Sequence, residues 1–318
     1  MSTLYIDRKY TTMTHQGATL MLHRQGHDPQ YIPLAMLERV VVHGKVQTDT
    51  ATLGALANAG IAVALLSGRH GRHKATLVGM PGKDVQRRLA QYRAWHDPAT
   101  RIQIATCILR RKLAAQQRNL SRAARLRPDL RHPFTKAQSQ LQAISRQLKI
   151  QTLELNPLRG LEGSAATAYF SAYQHLFPAA LAFSGRKRRP PPDPVNALLS
   201  LGYTLLHAEA VKTAHAAGLD PYLGFLHEPA HGRESLAADL IEPLRPRYDA
   251  LVWWIFRKRV LRAQDFIEDD GGCRLKKTAR GKFYGLYEHQ AAPARRWLRR
   301  FTYGLIRHIT RQGANEDD

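Results

Sequence analysis

The sequence predicts an α+β protein in which a small β-rich amino-terminal domain precedes a larger helical domain. Three observations predict it. Short apolar and β-branched runs bounded by turn residues occupy the first eighty positions. Beyond Met80-Pro81-Gly82 the chain changes to long stretches rich in Ala, Leu, Gln and Arg with helical spacing. The charge divides at the same place: residues 1–80 hold eight Lys/Arg against four Asp/Glu, and residues 81–318 hold forty against twenty-one.

Each element follows from local pattern. Residues 4–6, 18–22, 40–42 and 61–66 read as strands. Residues 48–59 suit a short helix, since Thr48 or Asp49 can cap it and Gly60 can end it. Gly68-Arg69-His70-Gly71 reads as a hairpin turn into a strand at 74–78, and its glycines lack the spacing of a phosphate-cradling loop. Pro98 opens a helix that carries Ile102, Ala105, Ile108, Leu109 and Leu113, with Arg110, Arg111, Lys112, Arg118, Arg122 and Arg125 around it, and Pro128 closes it. Further helices are expected at 133–149, 157–176, 194–217, 235–264 and 291–311. The expected organisation is a domain at 1–82, a linker and first helix at 83–97, the helical domain at 98–312 and a frayed tail at 313–318.

Composition narrows the function. The 318 residues carry a formal charge of +23 and are 44% hydrophobic, which supplies an ordinary core and points to a polyanionic partner, most simply nucleic acid. No apolar run reaches the ~20 residues of a membrane span, and Met1-Ser2-Thr3-Leu4-Tyr5-Ile6-Asp7 lacks the order of a signal peptide, so the chain reads as soluble and cytoplasmic, with no membrane partner. Cys107 and Cys273 are too few for a disulfide scaffold or a thiolate zinc site.

Three segments hold groups that can do chemistry. In Pro157–Phe170, Glu162 stands among small residues on an expected helix, with Arg159, Ala166 and Tyr169 on its side. The bland alternative is an exposed acid on a packed helix. His227 lies in an apolar setting where a satisfied core histidine is the ordinary case. Asp239 and Glu242 are three apart, so one helix would place both acids on one face, where they repel unless a cation compensates. A solvated acidic edge balanced by Arg233 and Arg245 is the alternative. His227-Glu228-Pro229-Ala230-His231 matches the zinc-peptidase pattern HExxH, but Pro229 inside the required helix would cost ~3 kcal/mol. No nucleophile elbow or Walker pattern is present. Together Glu162, His227, Glu242 and nearby Asp239 make a mixed oxygen and nitrogen set suited to Mg²⁺ or Mn²⁺, and such an ion beside a phosphodiester supports phosphoryl transfer. A non-catalytic nucleic-acid-binding or architectural protein is the competing reading of the charge alone.

At these residues the sequence resembles the CRISPR-associated adaptation integrase, the first-numbered Cas protein family. Three ordered blocks carry the resemblance: Leu161-Glu162-Gly163-Ser164-Ala165-Ala166 with Tyr169-Phe170; Pro194-Val195-Asn196-Ala197-Leu198-Leu199-Ser200 with Gly202-Tyr203; and Gly218-Leu219-Asp220-Pro221-Tyr222 through His227 to the segment from Ser235 to Arg245. The resemblance implies a metal-dependent DNA endonuclease and integrase that inserts short foreign DNA as new spacers into a CRISPR array, by attack of 3′-hydroxyl ends on phosphodiesters at the repeat borders. It implies a small β-sandwich-like amino-terminal domain followed by a larger all-α catalytic domain, a homodimer that pairs through its β-rich domain, double-stranded DNA (protospacer and repeat) as substrate, and a dimer of the small ferredoxin-like second-numbered Cas protein as partner. Carried over by motif, Glu162, His227 and Glu242 are metal ligands in a catalytic helical domain, with Asp239 as the neighbouring acid. Asn196 is expected beside the acids, bonding a ligand or DNA, with a helix cap or a polar core contact as the alternative. Arg186, Lys187, Arg188, Arg189 and Arg245 are expected to grip phosphate, as are others among Arg110, Arg111, Arg118, Arg122, Arg257, Lys258, Lys276, Lys277 and Arg280.

Overall fold

The computed structural model describes residues 2–8, 10–67, 73–80, 84–187, 190–269 and 271–314. Strands precede helices, as expected. The first sheet has the order β1 (Ser2–Ile6), β5 (Leu37–His43), β7 (Ala62–Leu66), β8 (His73–Leu77), parallel except for its last pair. The second has the order β4 (His27–Pro33), β3 (Thr19–Arg24), β2 (Thr11–Gln16), β6 (Val46–Thr48). Ile6, Val40, Val42 and Val63 from the first sheet and Met13 and Leu20 from the second fill one core with Leu56 of helix α1 (Thr50–Asn58). Asp49 caps α1 by accepting from the Thr52 amide at 2.6 Å, and Gly60 follows at φ +69°.

Side-chain alternation joins the two halves. Val40 and Val42 face the sandwich, whereas Val41, Ala64 and Leu66 face the helical core, so the central strands β5 and β7 are buried on both faces and carry the apolar runs 40–42 and 62–66. Strands β2, β4 and β6 escape pattern reading because they are polar: Thr11-Thr12-Met13-Thr14-His15-Gln16 shows one strong apolar position. The expected turn at 68–71 lies outside the described residues.

The helices are α2 (Val85–His96), α3 (Pro98–Leu126), α4 (Arg131–Ile150), α5 (Leu155–Tyr173), α6 (Pro194–Ala216), α7 (Ser235–Ile241), α8 (Arg245–Arg257) and α9 (Lys277–Ala314). Two departures matter. The single helix expected at 235–264 is broken, because Pro243 and Pro246 cannot donate to the preceding turn: α7 ends, Glu242–Leu244 form a 3-10 turn, and α8 starts afresh. The helix expected at 291–311 begins fourteen residues earlier and contains Pro293. Gly281 and Gly285 weaken its pattern, but Phe283, Tyr284 and Tyr287 are buried and hold it by packing. The helical part also carries a hairpin, β9 (Phe266–Asp269) with β10 (Gly272–Leu275). Gly272, at φ +93°, lets Pro191 approach, since a Cβ there would stand 2.7 Å from the Pro191 carbonyl oxygen. No helix among the described residues is long and apolar enough to cross a membrane.

A buried ionic network fastens the strands to the helices. Glu209 of α6 pairs with Arg39 of β5 and accepts from Arg295 of α9, each at 2.5 Å. Glu288 of α9 pairs with the same two guanidinium groups at 3.1 and 2.8 Å and accepts from the Tyr5 hydroxyl at 2.5 Å. Removing one partner from such a set leaves buried charge uncompensated. Glu209→Ala is therefore expected to lose about 3–5 kcal/mol of unfolding free energy, measured by denaturant titration.

Candidate active site

Glu162, His227 and Glu242 come from three elements and converge around a cation that the chain supplies itself. Lys112 of α3 donates through Nζ to Glu162 Oε1 of α5, and the same Nζ stands 2.5 Å from Glu242 Oε2. His227 Nε2 lies 4.0 Å from Glu242 Oε1. Glu242 reaches this point because the 3-10 turn at Pro243 redirects the chain toward α3. Its other oxygen, Oε1, accepts from Arg245 Nε at 2.7 Å. Burial alone would raise the Glu242 carboxyl. The Arg245 and Lys112 cations, with His227 beyond, hold it well below the usual carboxylate range.

Asp239 does not share that cation. Its Oδ2 accepts from the amides of Phe225 at 2.6 Å and Leu226 at 2.9 Å, and its Oδ1 accepts from the His227 amide at 3.0 Å and from Nδ1 at 2.6 Å. One face for Asp239 and Glu242 holds only for a continuous helix, and the proline break sends the two acids to different partners. Asp239 thus orients an imidazole, fixing the tautomer that leaves the Nε2 lone pair facing Glu242.

HExxH has no helix here. Residues 227–231 are irregular, Glu228 pairs with Arg101 at 2.9 Å and Arg159 at 2.6 Å, and His231 is exposed while His227 is tied to Asp239. A peptidase zinc grip is not built.

The expected phosphate contacts separate into inward and outward groups. Asn196 is fully buried. Its Oδ1 accepts from Arg186 Nη1 and the Lys187 amide, both at 2.9 Å, and its Nδ2 donates to the Gly185 carbonyl and to Asp193. This shapes the 185–187 loop and is the polar core contact that stood as the alternative to a ligand or DNA contact. Arg186 also donates to Ser200 Oγ at 3.1 Å and lies over the Tyr203 ring. Arg245 is committed to Glu242 and stacks on Tyr203, 4.5 Å from its centroid, so both arginines act within the protein rather than as free phosphate grips. Arg280 is buried, whereas Lys187 is exposed. Arg188 and Arg189 lie outside the described residues. Tyr169, placed beside Glu162 by helical spacing, instead packs in the core.

The outward group lines a groove of about 970 Å³ along α3. Arg110, Arg111, Arg118 and Arg122 border it, joined by Lys149 and Arg247, which the sequence reading did not single out; Pro243 and Leu244 bring its wall next to Glu242. Lys112 was likewise read only as one of many charges around α3. The signal for it was present. Ile104, Ala105, Ile108, Leu109, Leu113 and Leu120 form the buried stripe, and Lys112 and Gln116 fall on that stripe. A lysine on an apolar face calls for buried acids elsewhere in the chain.

Among the described residues no three His, Cys, Asp or Glu side chains form a ready-made ion cage. The donor set nonetheless fits a divalent ion. Two carboxylates already share one cation, an imidazole nitrogen adjoins them, and Glu242 Oε2 is buried without a hydrogen bond.

The family model for CRISPR associated protein Cas1 matches residues 4–289. The chain belongs to the Cas1 family. A relative, the CRISPR-associated endonuclease Cas1 1 of Thermodesulfovibrio yellowstonii, is 37% identical over 311 residues, 97% of each chain. Among solved structures, a casposase bound to integration product has the same fold, with a TM-score of 0.85 and 22% identity over 98% of this chain and 91% of that one. The Cas1 fold recurs in a Cas6-RT-Cas1–Cas2 complex, with a TM-score of 0.81 and 22% identity over 98% of this chain and 35% of that one. Strands followed by a helical domain are thus the architecture of this family.

Behind the Cas1 site lies a buried acid. Asp249 of α8 accepts from the Tyr203 hydroxyl, and burial pushes its carboxyl up to about 7 from an ordinary 3.8. The folded chain therefore holds this proton more tightly than the unfolded chain. The stability it confers is complete below about pH 4 and is lost as pH rises toward 7. Asp249→Asn keeps an acceptor for Tyr203 and removes the charging step. Melting temperature measured from pH 4 to 7 is expected to fall less steeply in the variant than in the parent.

Proposed function

We propose that this chain is a divalent-metal-dependent DNA endonuclease and integrase that inserts short DNA segments as spacers into a CRISPR array, with 3′-hydroxyl ends attacking phosphodiesters at the repeat borders. Membership in the Cas1 family makes it a nuclease, and one observation carries the site assignment: Glu162 and Glu242, eighty positions apart, meet at a single cation with His227 Nε2 alongside. Glu162, Glu242 and His227 Nε2 would hold Mg²⁺ or Mn²⁺. Such an ion, when bound, supplies Lewis acidity toward a phosphoryl oxygen.

The rest of the work falls to the chain. Asp239 keeps His227 in the tautomer and orientation that present Nε2. Arg245 keeps Glu242 ionised and aimed. The arginines of α3 position a duplex by its phosphates without reading sequence, as capture of varied DNA requires. A DNA hydroxyl is its own nucleophile, so no side-chain nucleophile is needed, and alignment of the DNA ends supplies much of the rate. DNA and a Cas2 protein are the partners, with two copies of the chain pairing through residues 1–82 and the resulting dimers flanking a ferredoxin-like Cas2 dimer.

Two predictions follow from this assignment. Glu162→Gln, His227→Ala and Glu242→Gln should each reduce Mn²⁺-dependent cleavage and strand joining on a repeat-bearing plasmid by at least ~100-fold while leaving duplex binding within about threefold. A variant that joined ends at the parental rate would overturn the site. In addition, Arg118→Ala and Arg122→Ala should each reduce the slope of log K against log salt for duplex DNA by about 0.9. Unchanged slopes would remove the α3 groove from the DNA path. A non-catalytic DNA binder would show parental behaviour in the first experiment and chelator-independent behaviour throughout.

A further inference from the structure

Lys112 is unusual among the cations of this chain. Most lie on solvated faces, whereas Lys112 is buried and contacts both carboxylates of the candidate metal centre. Counted formally, Glu162 and Glu242 contribute two negative charges, and Lys112 and Arg245 contribute two positive ones. These four contacting groups already cancel, and Asp239, paired to His227 behind them, adds one negative charge. A divalent ion entering the cluster would still leave an excess of positive charge in a largely buried pocket, which is costly unless a cation withdraws or an anion arrives. Arg245 is poorly suited to withdraw: its guanidinium is stacked on Tyr203 as well as paired to Glu242. Lys112 is suited to it, because its charge is compact and sits on a flexible four-carbon stem whose helix need not move.

We propose that Lys112 is a positioning residue that serves as a resident counter-cation: it holds Glu162 and Glu242 together in the metal-free protein, and a divalent ion binds by exchange with it. This rests on the metal-centre reading given above. Two consequences follow. The carboxylates stay gathered without metal, so the site is pre-assembled rather than built by the ion. The free protein holds metal weakly, and a phosphodiester strengthens retention by bringing negative charge to the cluster, where the displaced ammonium can pair with it. Full metal loading would thus coincide with the arrival of DNA.

The test uses the full chain, with Mn²⁺ as the probe and calorimetric titration as the readout. Lys112→Met should bind Mn²⁺ about tenfold more tightly than the parent in the absence of DNA, because no competitor remains. Added duplex DNA should tighten Mn²⁺ binding by the parent and have little effect on the variant. In chelator, Lys112→Met should melt roughly 5 °C below the parent, with Mn²⁺ restoring most of the difference. A purely structural lysine would show the melting loss without the gain in Mn²⁺ affinity. Lys112→Arg guards against a misfolded variant: it keeps the charge and should bind Mn²⁺ no more tightly than the parent. Equal or weaker Mn²⁺ binding by Lys112→Met, or tighter binding by Lys112→Arg, overturns the exchange. If the parent's Mn²⁺ affinity is unaffected by Glu242→Gln, the metal centre itself falls, an outcome distinct from failure of the lysine's role.

Discussion

Two carboxylates gathered at one point of a packed helical core must share a cation, and much of the architecture around them follows from that constraint. Glu162 arrives on α5 and Glu242 on the 3-10 turn between α7 and α8, and both meet Lys112 on α3. The attraction would be weak in water and is strong here because the surroundings exclude it. Glu242 left alone would resist ionisation by burial, so it has to be assembled with its cations as a set, Arg245 on one oxygen and Lys112 on the other. The same balance keeps the two carboxylates gathered at one point of the fold.

The geometry of the set depends on a broken helix. Had residues 235–257 formed one rod, Asp239 and Glu242 would have pointed the same way and repelled each other. Pro243 stops the rod, and the resulting turn divides the labour: Asp239 accepts four hydrogen bonds from the 225–227 segment and orients His227, while Glu242 faces α3. Arg159 secures the same segment from α5, donating to the Leu226 carbonyl at 2.7 Å and pairing with Glu228. An irregular loop thereby gains the precision of the helices that flank it.

The strand-rich half is not a loose appendage. Its first sheet has one face in the sandwich and the other in the helical core, and α9 returns to it: Tyr284 stacks on Tyr5 with centroids 3.9 Å apart and donates to or accepts from His43 at 2.6 Å. Burial and the nearby Arg280 and Lys277 hold the His43 imidazole down to about 3, so it stays neutral at physiological pH. Together with the Arg39, Glu209, Glu288 and Arg295 network, these contacts tie the amino-terminal sheet to the same α6 whose amino-terminal end, through Asn196, organises the 185–187 loop.

How much was legible in the sequence can be judged from particular residues. Strand and helix order, the helix starts at Asp49 and Pro98, the concentration of positive charge beyond residue 80 and the chemical character of Glu162, His227 and Glu242 are all properties of local pattern and composition. They were readable because periodicity and turn chemistry operate over a few residues. The polar strands β2 and β4 and the glycine-bearing start of α9 were not, because tertiary packing overrides weak local preference there. Composition by itself established a basic protein with a mixed acid and histidine set. Only the tertiary structure decided which charges look inward: Lys112 toward Glu162, fifty positions away, Arg186 and Arg245 toward Tyr203, and Asp239 toward His227 rather than toward Lys112. The reason is physical. Helical spacing says which side chains share a face, but the partner that neutralises a buried charge is chosen by how distant elements pack.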